Sequence, residues 1–495
     1  MKKISLTLLP VFLSGCAMIG PDFKAPDAPQ VDSFTAEMAT IPTDETPRLI
    51  VQESLPQQWW QLYQSEALSQ LVTQGLENSP TLAAARAKLK ASQETISADT
   101  GSILYPNIDF KLDSSRQKIS GATFGDAGDA NTFSVHSASL ELNYTIDPFG
   151  GGQRYLEYDQ ALVDYEAFQL EAAKLTLTTN IVTAALNEAS LREQITAMNA
   201  IIADEEDVLS VVEKQFVIGV IPKADLLSQR AAVAQARTQL PALEKALAQT
   251  RHQLATLTGK LPPGVNTLPK VELNALTLPA ELPVTLPSTL TQRRPDVRAA
   301  EEVLHQMSAK VGVAATALYP KLELNAHLGS ETTKFSDLFS AGSTIWGIAA
   351  GLTQPIFRAG ELQAKKRAAL ANYDHAAALY RQQVLVAFQD VADALLALEM
   401  DGRQLTLQKE AEKLAAETLH LVREQYKHGA VSYLAMLDAQ RRYQQSRINL
   451  IKARTALYND AAALMYALGG GWESVNTNST NNTQTSTQNT GKKST

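Results

Sequence analysis

The chain is written twice, and no other feature constrains its fold as much. At a spacing of about 210 residues, Leu104-Tyr105-Pro106-Asn107-Ile108-Asp109-Phe110 recurs as Leu318-Tyr319-Pro320-Lys321-Leu322-Glu323-Leu324. The Asp147-Pro148-Phe149-Gly150 turn recurs near Gln354-Pro355-Ile356-Phe357. Val212-Glu213-Lys214-Gln215-Phe216, followed by Gly219, matches Val422-Arg423-Glu424-Gln425-Tyr426, followed by Gly429. A Gln-Arg pair comes next in each copy, at Gln229-Arg230 and Gln440-Arg441, and each copy closes on glycine, at Gly259 and at Gly469 to Gly471. Landmarks recurring in one order imply two like structural halves.

Within each copy the hydrophobic period changes in the same sequence. Residues 80 to 102 and 296 to 317 are Ala-rich, with Gly312 as the one glycine well inside the runs, and read as helices. The period then becomes two. Ile108, Phe110 and Leu112 alternate with Asn107, Asp109 and Lys111, and Leu140, Leu142, Tyr144 and Ile146 alternate with Glu141, Asn143 and Thr145. In the second copy Leu322, Leu324, Ala326 and Leu328 alternate with Glu323, Asn325 and His327, and Trp346, Ile348, Ala350 and Leu352 with Gly347, Ala349, Gly351 and Thr353. That predicts four strands in two hairpins, 103–147 and 318–355. Ser340 to Phe357 carries no charge over 18 residues, but its glycines and Pro355 make a poor membrane helix, and a strand fits the alternation better.

Long helices follow. Residues 154 to 218 lack Pro and Gly, and Ala161, Tyr165, Phe168, Ala172, Leu175, Thr179, Val182, Leu186 and Ala189 keep an alternating 4/3 spacing. Leu370, Tyr373, Ala377, Tyr380, Val384, Ala387, Val391, Ala394 and Leu398 repeat it. Sustained 3.5-residue spacing is coiled-coil packing. A 65-residue helix spans about 98 Å.

The expected organisation is a signal peptide over 1–15, an extended N-terminal arm over 16–58, a first repeat over 59–260 with a helical hairpin at 154–258, and a Pro-rich linker over 261–295. A second repeat over 296–471 follows, with a helical hairpin at 360–468, and then a disordered polar tail over 472–495.

Lys2 and Lys3, the apolar run Ile4 to Leu13 and the small residues before Cys16 form a secretory leader too short to span a bilayer. Leu13-Ser14-Gly15-Cys16 resembles the bacterial lipobox, which implies an N-acyl and diacylglycerol anchor on Cys16. Ala17 in place of Asp implies sorting to the outer membrane, with the body of the protein in the periplasm. Cys16 is the one cysteine, so disulfide frameworks and Cys-rich zinc modules are excluded. Removing the leader takes the net charge from −8 to −10, which disfavours nucleic acid as a partner. No HExxH, GxSxG or GxxxxGK[ST] occurs, the seven His form no i,i+3 or i,i+4 pair, and neither an enzyme nor a metal site is expected.

Four membrane strands cannot close a barrel alone, and an open edge in lipid leaves backbone groups unsatisfied. Copies must pool strands: a dimer would give eight and a filled lumen, a trimer twelve and an open one. Together with the duplicated layout, Arg293-Arg294-Pro295-Asp296 with Glu301 five residues on resembles the outer-membrane factor (TolC-like) family, in the lipoprotein branch serving resistance-nodulation-division efflux pumps. The resemblance covers essentially the whole mature chain. It implies an α+β membrane protein in which four strands per chain contribute to a trimeric 12-stranded outer-membrane β-barrel, continuous with a long periplasmic α-helical coiled-coil barrel. It also implies a periplasmic adaptor and an inner-membrane pump as partners, and an exit duct for drugs or toxic solutes. Metal-ion efflux or type I protein secretion stays open within the same fold. A periplasmic adaptor or a structural coiled-coil lipoprotein is the alternative class.

The resemblance places a periplasmic gate, and the contact with the adaptor, at the turns holding Gly219 and Gly429. Asp438 takes the place of a tip aspartate whose threefold ring would attract cations. A second aspartate found in some relatives is Ala435 here. Tyr426 matches a tyrosine that helps hold the tip closed, while an arginine five residues later in some relatives is Val431. Asp225 is the nearest acidic residue of the first copy. The plainer alternatives are a solvated helix charge for Asp438, groove packing for Tyr426, and helix N-terminal electrostatics for Asp296.

Overall fold

A computed structural model describes residues 18–31, 33–35, 47–52, 55–120 and 130–472. Cys16, the segment 1–15 expected as a signal peptide and the tail beyond Trp472 lie outside these residues. In chain order the elements are β1 (Arg48–Val51), α1 (Glu66–Asn78), α2 (Pro80–Leu104), β2 (Asn107–Ile119), β3 (Asn131–Ile146), α3 (Gly151–Val217) and α4 (Lys223–Leu257). Then come β4 (Glu281–Val284), α5 (Pro287–Arg293), α6 (Pro295–Thr316), β5 (Lys321–Thr332), β6 (Thr344–Thr353), α7 (Glu361–Lys427) and α8 (Tyr433–Ala467). The duplication is written into the lengths: α3 and α7 have 67 residues each, α4 and α8 have 35 each. Among the described residues no helix is long and apolar enough to cross a membrane.

The elements divide into two compact units. Among the described residues, one takes in those within 18–26, 87–167 and 299–381, the other those within 27–86, 168–298 and 382–472.

The first unit carries a four-stranded antiparallel sheet in the order β2-β3-β5-β6. Its middle junction joins the two repeats, with Leu140 opposite Leu328 and Tyr144 opposite Leu324. The registers put Phe110, Leu140, Leu328 and Trp346 in one row and Ile108, Leu142, Ala326 and Ile348 in the next, so one face carries a band of apolar residues across all four strands. Most of these large side chains are exposed, Trp346 and Ile348 at 72% each. The opposite face carries Lys111 bonded to Glu141 at 2.7 Å, with Asn143, Asn325 and His327. Gly347, Ala349 and Gly351 lie on that polar face, and a Cβ at Gly347 would meet the His327 ring at 2.5 Å. Gly151 and Gly152 let α3 begin three residues earlier than its Pro- and Gly-free run suggests, because a Cβ at either would strike Thr316 or Ile103. The Asp147 carboxylate accepts from the Gly152 N–H at 2.6 Å and caps the start.

The second unit is built around Trp59, Trp60 and Tyr63, all buried, with Leu68, Leu71, Leu82, Leu282 and Leu290. The Tyr63 hydroxyl donates to the Tyr458 carbonyl at 2.6 Å, and burial pushes that phenol well up. Trp59 and Trp60 are therefore packing residues, whereas Trp346 stands out on the apolar sheet face. Arg294, almost wholly buried, donates to Asp296 at 2.7 and 3.0 Å, to Asp390 at 2.9 Å and to the Ala467 carbonyl at 3.2 Å. Asp296 also accepts from the Val297 N–H at 3.0 Å, as its place at the start of α6 leads one to expect.

Three expectations need correction. The described residues hold six strands, not four: β1 in the arm and β4 in the linker form a small parallel pair. Neither segment is wholly connective, since α5 also falls inside the linker. Pro283 in β4 is tolerated because that strand has a partner on one side only, leaving its missing N–H unneeded. The Gln-Arg landmark is one residue out of step. Superposing Gly219 on Gly429 sets Gln229 against Ala439 and Arg230 against Gln440, since α4 and α8 begin at Lys223 and Tyr433.

Candidate functional site

Each long hairpin turns on one glycine. Gly219 has φ +75° and Gly429 φ +72°, and a Cβ at either would meet nothing within 4 Å, so backbone conformation, not crowding, selects glycine. The turns close alike. Val220 N–H donates to the Gln215 carbonyl and Ala430 N–H to the Gln425 carbonyl, both at 2.9 Å, which satisfies helix-end carbonyls. The turn surfaces differ. Val217 and Ile218 are 83% and 73% exposed in the first, while the second carries exposed Lys427 and His428.

Behind the turns lies an apolar cluster of Val212, Leu226, Ala232, Tyr433, Met436 and Leu437, with Tyr426 and Val422 packed on it. A polar network is set into the seam. The Tyr433 hydroxyl donates to the Gln229 side-chain oxygen, and the Gln229 amide donates to the Glu205 carbonyl at 2.8 Å and to its carboxylate at 2.7 Å. Gln444 donates to the other Glu205 oxygen at 2.8 Å. Gln440, 1% exposed, has neither amide atom paired.

Tyr426 is held by packing: its ring lies 6.0 Å from that of Tyr433, and its hydroxyl reaches Gln215 only at 3.5 Å. Burial first, and the Asp225 charge second, push the Tyr426 phenol up, so Asp225 and Tyr426 belong to one locality. Burial first, then the Glu205 charge, push the Tyr433 phenol up, with Tyr426 and Asp225 contributing less. Asp438 is placed differently. Its side chain is 60% exposed and accepts from Arg442 at 2.9 Å, one helical turn on. The tyrosine–glutamine–glutamate network escaped the sequence reading. Its signal was present in the 4/3 spacing, which puts Gln229 in line with Leu226, Val233 and Ala236, and Gln440 and Gln444 in line with Tyr433 and Leu437.

An open sheet with one apolar exposed face, and paired helical hairpins ending in glycine turns, define a membrane channel subunit of the outer-membrane efflux type. The chain belongs to the outer membrane efflux protein family, which matches residues 71–260 and again 286–470, once for each copy. It is 34% identical to the pyoverdine export outer membrane protein OpmQ of Pseudomonas putida, over 87% of this chain and 91% of that one. The antibiotic efflux pump outer membrane protein ArpC of Pseudomonas putida is 29% identical over 95% of each chain. The solved outer-membrane channel OprN superposes with a TM-score of 0.84 at 26% identity, covering 92% of this chain and 99% of that one. The family expected from the arginine–proline–aspartate stretch is thus the family found, and its activity is that of an outer-membrane efflux duct.

Proposed function

We propose that three copies of this chain form a passive exit duct that takes drugs or other toxic solutes from a periplasmic adaptor and an inner-membrane pump through the outer membrane. The open sheet carries the proposal. Within the described residues β2 and β6 each have one partner strand, and both flank an apolar face suited to lipid. Neither edge can be left bare in a bilayer. The β3–β5 junction already joins the second strand of one hairpin to the first strand of the next. A β6–β2 junction between copies repeats that step head to tail, and such an interface closes into a ring. Three copies give twelve strands, with the polar face and the small residues of β6 lining an open lumen.

In this reading the Gly219 and Gly429 turns meet the adaptor, and Asp438, Tyr426 and Asp225 lie at the periplasmic gate. The Asp438–Arg442 pair tempers the carboxylate ring, leaving a weaker cation preference than three bare aspartates would give. A lipid on Cys16 holds the N-terminus at the membrane. Export of a siderophore, a metal ion or a protein would use the same duct, since the pump and adaptor choose the cargo.

The cysteine-poor sequence makes a direct test available. Cysteines scanned along β6, paired with one in β2, in a Cys16→Ser background, should cross-link into a closed species of three chains. Cross-links confined to pairs of chains, or formed equally well between β2 and β2, would contradict the arrangement.

A further inference from the structure

Gly312 is the one glycine well inside the two Ala-rich helical runs, and the first unit shows what it is for. The arm crosses α6 there: a Cβ at Gly20, whose φ is +111°, would lie 2.6 Å from the Gly312 Cα. A Cβ at Gly312 would in turn strike the Arg154 side chain at 2.8 Å. Arg154 lies in the space so opened, with its side chain 1% exposed. It donates to the Ile19 and Gly20 carbonyls, each at 3.3 Å, and to the Asp22 carboxylate at 2.7 Å. The Ile19 N–H donates to the Phe149 carbonyl at 3.1 Å, and Met18 covers Gly150. The arm from Met18 to Phe23 is therefore seated on α3, α6 and the turn before α3 through five of its residues, Met18, Ile19, Gly20, Asp22 and Phe23.

The far end of the seat is a histidine. Phe23 stacks on the His305 ring with centroids 4.3 Å apart and planes 13° from parallel. Both ring nitrogens face carboxylates, Nε2 towards Glu157 at 3.1 Å and Nδ1 towards Glu302 at 3.2 Å. Only the doubly protonated ring donates to both. Glu157 also accepts from Arg154 at 2.7 Å, so Asp22, Arg154, Glu157, His305 and Glu302 form one line of alternating charge from the arm through α3 to α6.

We propose that Met18–Phe23 is a pH-released strap, fastened while His305 carries its charge and loosened when that charge is lost. Loss of the proton leaves three carboxylates in the line with one guanidinium and turns one His305 nitrogen lone pair towards a carboxylate. Burial opposes the charged ring, but hydrogen bonds and charge from Glu302 and Glu157 outweigh it, and the net displacement is upward from the ordinary value of 6.5. The sign follows: the strap is fully held below the ordinary histidine range and released as pH climbs through the raised value. The seat begins two residues after Cys16, so its release lengthens the tether between the N-terminus and the sheet-bearing unit, whether or not Cys16 is acylated.

Hydrogen exchange of the peptide spanning Met18–Lys24 in the full-length protein, corrected for the intrinsic pH dependence of exchange, tests this. Between about pH 6 and about pH 9, protection should fall about threefold or more. His305→Gln should show the low protection at both pH values, with no fall between them. A ring with a merely structural role would also lose protection on substitution, but the wild-type profile would then be flat. A flat wild-type profile, or a fall in His305→Gln as large as in the wild type, overturns the proposal. The wild-type profile decides alone if the variant does not fold.

Discussion

Asp159 and Asp438 are both helix aspartates, and burial gives them different chemistry. Asp159 is 4% exposed with one oxygen unpaired, and burial, followed by the charge and hydrogen bond of Asp99, raises its carboxyl to about 6. A raised carboxyl favours the folded chain while protonated, and that advantage goes as pH rises through about 6. At pH 8 the buried charge costs up to about 3 kcal/mol. Asp159→Asn should therefore raise the thermal unfolding midpoint at pH 8 and leave it nearly unchanged at pH 4. An equal gain at both would show that charge is not the cause. Asp438 is exposed and salt-bridged, and its contribution to stability is small, about 0–1 kcal/mol. In the proposed duct its role is electrostatic, through the field at the gate. Sequence alone could place Asp438, Tyr426 and Asp225 near a turn, because the glycine and the helix periods locate them. It could not show that Arg442 answers Asp438, or that Tyr426 is packed against Tyr433, because i,i+4 pairing and burial depend on which rotamers neighbouring helices permit.

Glycines at the ends of helices separate two physical demands that look identical in sequence. Gly219 and Gly259 both have positive φ, +75° and +73°, but a Cβ at Gly219 meets open space while one at Gly259 would lie 2.4 Å from the Asn78 carbonyl. Gly219→Ala should cost only the backbone term, about 1–2 kcal/mol. Gly259→Ala adds a collision with backbone that cannot give way, and should lower the unfolding midpoint clearly more. Equal losses in the two variants would mean that the turn at Asn78 is softer than its geometry suggests. At this scale the long helices and the four sheet strands were legible, since their periods of 3.5 and two run unbroken for many residues. The β1–β4 pair was not. Each strand has four residues, too few for a period to declare itself, and Pro283 disguises one of them.

On the scale of the whole molecule, duplication was the decisive reading, because two hairpins per chain make an open sheet unavoidable. Among the described residues the single-chain sheet is incomplete by its own chemistry: two bare edges and an exposed apolar face have no stable place in water or, unpaired, in lipid. The cargo was not legible and follows from no residue here, because a passive conduit needs no site shaped to its passenger. Conductance across a planar lipid bilayer tests the channel claim most directly. The purified wild-type chain should form stable ion-conducting pores with a weak preference for cations, and Asp438→Ala should raise the resting conductance or reduce that preference. Complete absence of pores, in the wild type and in Asp438→Ala alike, would contradict the reading of this chain as a duct.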